Sequence, residues 1–143
     1  MRDILKNKLH QYISENNPDL LLSLEEKKEV TQYLTEKVNG IESMIQQLQV
    51  QTTPAYIIEE MCLDELTKDL RPSRYNYISN ILEEDFEFAH QQFQKRGTLL
   101  YEVVNILNQC QEAFETFGFT EETEDNRQLR YAVTGIIDKY LSK

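Results

Sequence analysis

Apolar residues return along this chain every three or four positions, in segments bounded by proline, glycine and capping residues. Leu5, Leu9, Tyr12 and Ile13 share one face of a predicted helix from about Arg2 to Glu15. Asn17-Pro18-Asp19 ends it, because proline removes a donor and disfavours helix in the residue before it. Ser23-Leu24-Glu25-Glu26 reads as a capping box, in which the hydroxyl and the second carboxylate satisfy free N–H groups. It opens a second helix running to about Val50, with Val30, Tyr33, Leu34, Val38, Ile41, Ile45 and Leu48 on its stripe. Gly40 inside that helix either lets a neighbour cross closely or marks a break.

Thr53-Pro54 predicts a third start, a capping side chain followed by proline at the first helical position. That helix reaches about Leu70, with Ile58, Met61, Cys62, Leu66 and Leu70 inward, and Arg71-Pro72 stops it. Ser73 caps a fourth helix, whose stripe is Tyr75, Ile78, Ile81, Leu82, Phe86, Ala89 and Phe93. Gly97 ends it and Thr98 caps a fifth, with Leu100, Val103, Val104, Leu107, Cys110 and Phe114 inward and Gly118 at its close. The acids from Glu121 to Asp125 load the start of a sixth helix, where the dipole favours them. Leu129, Ala132, Val133, Ile136, Ile137, Tyr140 and Leu141 form its inner face. The expected fold is all-α: one domain, residues 1–143, built as a single multihelical bundle of about six amphipathic helices.

Composition supports that picture and adds a charge asymmetry. The chain has 143 residues, and its 40% hydrophobic content is enough for a real core. Four glycines and three prolines suit long helices better than many-turned β structure. The formal net charge is −10. From Asn80 to Asp125 eleven acids face only Lys95 and Arg96, so this stretch alone carries −9. Such a surface repels phosphate backbones and anionic lipid. It suits solubility, a basic partner or mimicry of nucleic acid. Cys62 and Cys110 lie on apolar stripes with no CxxC spacing, and are expected to be reduced, buried thiols. Met-Arg-Asp-Ile-Leu-Lys does not resemble a signal peptide, and no apolar run approaches bilayer length. A cytoplasmic protein is expected, without membrane contact.

Few residue groups suggest chemistry. Glu87-x-x-His90 has the spacing used in di-iron helical bundles, with Glu83 one turn earlier. A second such motif is missing: the other histidine is His10, preceded at three residues by Asn7. His90 is therefore read as a surface histidine on an acidic face, and no metal or other cofactor is expected. Neither histidine has neighbours that suggest a desolvated base, and no phosphate-binding glycine loop occurs, so no catalytic residues are assigned. Lys68, Arg71 and Arg74 cluster near Tyr75 and Tyr77, but three cations in an acidic chain make a weak nucleic-acid footprint. Of the eight tyrosines, Tyr12, Tyr33, Tyr75, Tyr131 and Tyr140 lie on or beside inward stripes. Tyr56, Tyr77 and Tyr101 flank theirs, and are the candidates for an exposed patch that meets another protein.

Three segments carry a resemblance. Ser73-Arg74-Tyr75 with Ile78, Ile81, Leu82 and Asp85-Phe86 is the first. Cys110 with Ala113-Phe114, Phe117 and Phe119-Thr120 is the second. Leu129, Tyr131, Thr134-Gly135-Ile136 and Tyr140-Leu141 form the third. Together they resemble an uncharacterised all-helical family of Bacteroidetes, a domain of unknown function often found near conjugative mobile elements. The resemblance implies a helical fold and a link to mobile DNA. It implies no catalytic or binding residues.

The sequence thus points to a non-enzymatic helical interaction or accessory module, linked by the resemblance to mobile elements. Its expected partner is another protein, with a homo-oligomer left open. Two alternatives stand beside it: an acidic inhibitor imitating DNA, and a carboxylate-rich metal-binding enzyme. Tyr56, Tyr77 and Tyr101, with Glu83, Glu84 and Glu87, are the candidate interaction surface. Replacing Glu83, Glu84 and Glu87 together by Gln should change stability by less than about 1 kcal/mol in a urea titration. In a partner-binding assay, loss of the partner in that variant but not in Tyr→Ala variants would favour the DNA mimic.

Overall fold

The structure is a computed structural model that describes residues 1–142; Lys143, the last residue of the expected domain, lies outside them. Among the described residues there is no strand, and nine α-helices form rather than six. The chain divides into two compact units, Met1–Arg71 and Pro72–Lys143, each with a hydrophobic core of its own. The boundary falls at the Arg71-Pro72 step.

In the first unit, α1 (Arg2–Asn16) is followed by α2 (Pro18–Glu26), α3 (Val30–Asn39), α4 (Glu42–Val50) and α5 (Ala55–Thr67), then a 3-10 turn, Lys68–Leu70. Helix α1 packs against α2, α3 and α5, and α4 packs on α5. Leu5, Leu9 and Ile13 of α1 are buried among Val38, Ile45, Ile58, Cys62 and Leu66. Met61, expected inward, is exposed instead. Asn17 anchors the α1–α2 junction: its amide donates to the Leu70 carbonyl at 3.4 Å.

The predicted second helix is absent as such. Ser23 sits inside α2, which begins at Pro18, so the expected capping box caps nothing. Proline at the first helical position supplies the start, since its missing N–H is unsatisfied there in any case. The run to Val50 is broken twice. Lys28 takes φ 58 after α2, and the Glu29 N–H reaches back to the Leu24 carbonyl at 2.9 Å. This is a left-handed closure of the kind that glycine usually makes. Thr52 (φ 55) closes α4 in the same way, with Thr53 N–H on Leu48 O at 3.1 Å. Between α3 and α4 the chain turns at Gly40 and Ile41, so Gly40 marks a break. Pro54 precedes α5, and Thr53 makes no side-chain cap.

In the second unit, α6 (Arg74–Asp85), α7 (Glu87–Arg96), α8 (Leu99–Phe117) and α9 (Arg127–Leu141) follow one another. Helix α8, 19 residues long, packs against α6, α7 and α9. Val103, Ile106, Leu107, Cys110 and Phe114 are its buried stripe. They meet Ile78, Ile81 and Leu82 of α6 and Leu129, Val133 and Ile137 of α9. Phe114 anchors an aromatic cluster, 5.7 Å from the Tyr77 ring and 4.8 Å from the Phe119 ring. The predicted ends hold at three points: the Ser73 hydroxyl accepts from Asn76 N–H at 3.0 Å, Gly97 (φ 71) closes α7 and Gly118 (φ 73) closes α8, whereas Thr98 precedes α8 without a side-chain cap.

Two further expectations are corrected. The fourth predicted helix is kinked at Phe86 into α6 and α7, with φ −132 and ψ 50 at that residue. Asn17 takes nearly the same conformation, φ −134 and ψ 53, between α1 and α2. Proline dictates the break at Asn17. No proline stands at Phe86, and the kink lets α6 and α7 both pack on α8. The acids from Glu121 to Asp125 do not start the last helix. They lie in a turn tied by Thr120 and Thr123, whose hydroxyl accepts from Thr120 N–H at 2.9 Å. Asn126 caps α9 by accepting from Leu129 N–H at 3.0 Å.

Because Phe114 is fully buried at the centre of the second core, Phe114→Ala should cost about 3–5 kcal/mol. Urea unfolding, read by amide exchange of α8, should show the loss. A cost under about 1 kcal/mol would contradict the packing described.

Candidate functional site

The expected surface residues occupy different environments. Tyr56 on α5 is 69% exposed, in the first unit. Tyr101 on α8 is 58% exposed, in the second. Tyr77 is not on an open face: its ring packs edge-on against Phe114 and Phe119, and its hydroxyl is buried without a hydrogen-bond partner. Burial accordingly holds its phenol above the ordinary value. Tyr131, expected beside an inward stripe, is 70% exposed.

The acidic stretch has structural duties that its composition does not reveal. Arg130 of α9 donates to Glu84 and to Asp85, both at 3.0 Å, and so ties α9 to the end of α6. The groups are half-exposed, so each pair contributes about 0–1 kcal/mol. Glu83 is exposed on α6. Glu87 is exposed at the start of α7, where the helix dipole favours it, and accepts from the Gln91 side chain at 3.3 Å.

The kink at Phe86 bears on the placement of Glu87-x-x-His90. Glu83 lies on α6, and Glu87 and His90 lie on α7. His90 is not a surface histidine but is 7% exposed. Among the described residues no three His, Cys, Asp or Glu side chains are grouped to hold a metal ion.

The three cations that make only a weak nucleic-acid footprint in the sequence are engaged locally. In the first unit Lys68 pairs with Glu65, and Arg71 pairs with Asp64 at 3.0 Å. In the second unit Arg74 donates to the Gln111 side chain and lies over the Phe114 ring, 5.0 Å from its centroid. No helix among the described residues is long and apolar enough to cross a membrane.

The feature best built to hold something lies in the second unit. A groove of about 800 Å³ runs along α7, bounded by the start of α8 and the end of α9. Phe86, Phe88, Ala89, Phe93 and Leu141 give it an apolar lining. Phe88 stands 76% exposed at its mouth. Tyr140 donates to Glu102 at 2.6 Å, joining α9 to α8 across the floor. Burial and this bond raise the Tyr140 phenol above its ordinary value. Asp85, Glu87, Glu102 and Arg96 supply the charges along the lining. Of the residues expected from sequence, only Glu87 belongs to this groove. Phe88 was not singled out there, although an apolar residue off the stripe, two positions after Phe86, is the signal that marks it.

The residues of the family resemblance have two places. Ile78, Ile81, Leu82, Cys110, Phe114 and Leu129 are buried in the second core. Asp85, Phe86, Tyr140 and Leu141, which also carry the resemblance, line the groove, so the residues of the resemblance fall both in the core of that unit and along the groove. No family model, curated protein or solved structure matches this chain.

Cys62 and Cys110 are both free and buried. Burial pushes the Cys110 thiol up to about 11 from 9.0. As pH rises through about 9, the unfolded thiol ionises while native Cys110 keeps its proton to about 11. The native state then holds more protons than the unfolded one, so stability must fall across that window. Urea midpoints between about pH 8 and 11 should show this fall, and Cys110→Ala should flatten it. Equal slopes in the two proteins would contradict the shift.

Proposed function

We propose that this chain is a non-enzymatic protein-interaction module, and that its interface is the groove along α7. One observation carries the reading: Phe88, a large aromatic, stands exposed on an apolar groove that the fold leaves uncovered. Exposing an aromatic beside other apolar side chains costs solvation energy, and such patches mark sites of association. Aromatic residues at the centre of a patch commonly dominate binding, each worth about 2 kcal/mol or more. The patch moves the proposed interface from Tyr77, which is packed inside, to Phe88. Tyr56 and Tyr101 remain exposed but lie outside this groove lining.

The acidic-inhibitor alternative draws less support, because Glu84 and Asp85 share Arg130 and so present less net charge than the sequence suggests. The metal-enzyme alternative lacks a ligand cluster among the described residues. The mobile-element setting rests on the resemblance alone.

Affinity capture from a native host should retain one partner on the unaltered protein and lose it at least about tenfold on Phe88→Ala. Thermal unfolding of that variant should stay close to the parent, since Phe88 is exposed. A partner held equally by Phe88→Ala, but lost on Tyr56→Ala or Tyr101→Ala, would move the interface elsewhere.

A further inference from the structure

We infer that the α7 groove takes an amphipathic helix of another protein, one that sets apolar side chains against Phe88 and Lys or Arg against Glu87 and Glu102. The inference rests on the groove being an interface and adds the chemistry of its occupant.

Charge complementarity carries it. Three carboxylates and one guanidinium line the groove. Asp85 is already satisfied by Arg130. Among the described residues the other two carboxylates are in no ion pair: Glu87 accepts from the Gln91 amide and Glu102 from the Tyr140 phenol. With the Arg96 guanidinium on the same lining, the two leave a net negative charge beside the apolar side chains. Partial desolvation by an occupant would strengthen their attraction for a cation and penalise a second anion. The apolar side chains call for a matching apolar stripe, which a helix presents at three- and four-residue intervals. About three turns of helix would span a groove formed along the ten residues of α7.

The same charges argue against the other occupants. A second copy of the chain brings another net −10 and the same acidic lining to the contact. Nucleic acid and anionic lipid meet repulsion at Glu87 and Glu102. A small metabolite would leave Phe88 largely in water, because that ring stands at the open mouth.

The test is a displayed library of helical peptides, about 16 residues long, selected on the full chain and counter-selected on Phe88→Ala. Enriched sequences should carry apolar residues at helical spacing and an excess of Lys and Arg. Their affinity should fall at least about fivefold between about 50 and about 300 mM salt. The combined variant Glu87→Gln, Glu102→Gln should weaken a selected peptide about tenfold, and should leave its Lys→Gln counterpart nearly unchanged. Glutamine at 102 still accepts from Tyr140, so the floor of the groove is kept. Enriched peptides that need Phe88 but show no basic excess would overturn the inference while the groove remains an interface. A selection with nothing that distinguishes the parent from Phe88→Ala would overturn both. Concentration-dependent dimers that bury Phe88, seen by sedimentation and lost on Phe88→Ala, would put a second copy in the groove and overturn the basic partner.

Discussion

A helix of nine or ten residues does not hold itself together in water, because nucleation costs more than so few hydrogen bonds return. Helices α2, α3, α4 and α7 are all of that length. Their order depends on packing against a better-buried neighbour. In the first unit that neighbour is α1, whose Leu5, Leu9 and Ile13 are almost wholly removed from water. In the second it is α8, with Val103, Ile106, Leu107, Cys110 and Phe114. Each unit is a set of short helices held by one long apolar stripe, and the rest of the architecture follows from that dependence.

The kink at Phe86 is its clearest consequence. An unbroken helix from Ser73 to Gly97 would satisfy more backbone groups locally. Bending at one residue keeps most of them: Phe86 N–H still donates to Leu82 O at 2.9 Å, and its carbonyl still accepts from His90 N–H at 3.0 Å. The gain is that both halves meet α8. The bend places Glu83 and Glu87 on different helices, and His90 of α7 is buried. The bend also leaves Phe88 on the outer side of α7.

Electrostatics follows the same geometry. The acidic run looked from composition like an undivided surface. Packing divides it into Glu84 and Asp85, which bind Arg130, Glu102, which holds Tyr140, and the acids of the Thr120–Thr123 turn, which stand outside any helix. What remains beside the groove is a small set of carboxylates in no ion pair among the described residues, and that is a more specific feature than a net charge.

Much of the helical content was legible in the order of residues. Ser73 caps by its own hydroxyl, Gly97 reaches φ 71 without a Cβ penalty, and the Leu5–Leu9–Ile13 and Val103–Leu107–Cys110–Phe114 stripes are periodic, so each is determined by neighbours a few positions away. The break at Asn17 was legible for the same reason, since proline acts on the residue before it. The breaks at Lys28 and Phe86 were not. Neither residue prefers its observed backbone conformation, and each adopts it because separate helices must reach a common core. The candidate site was legible only at Glu87. Whether a tyrosine flanking a stripe is packed, as Tyr77 is, or exposed, as Tyr101 is, depends on the aromatic rings brought up from Phe114 and Phe119. Local sequence determines where a helix can start and stop and which face it must bury. Tertiary structure alone decides where a long helix bends and which apolar side chains stay uncovered, because both depend on contacts between residues far apart in the chain.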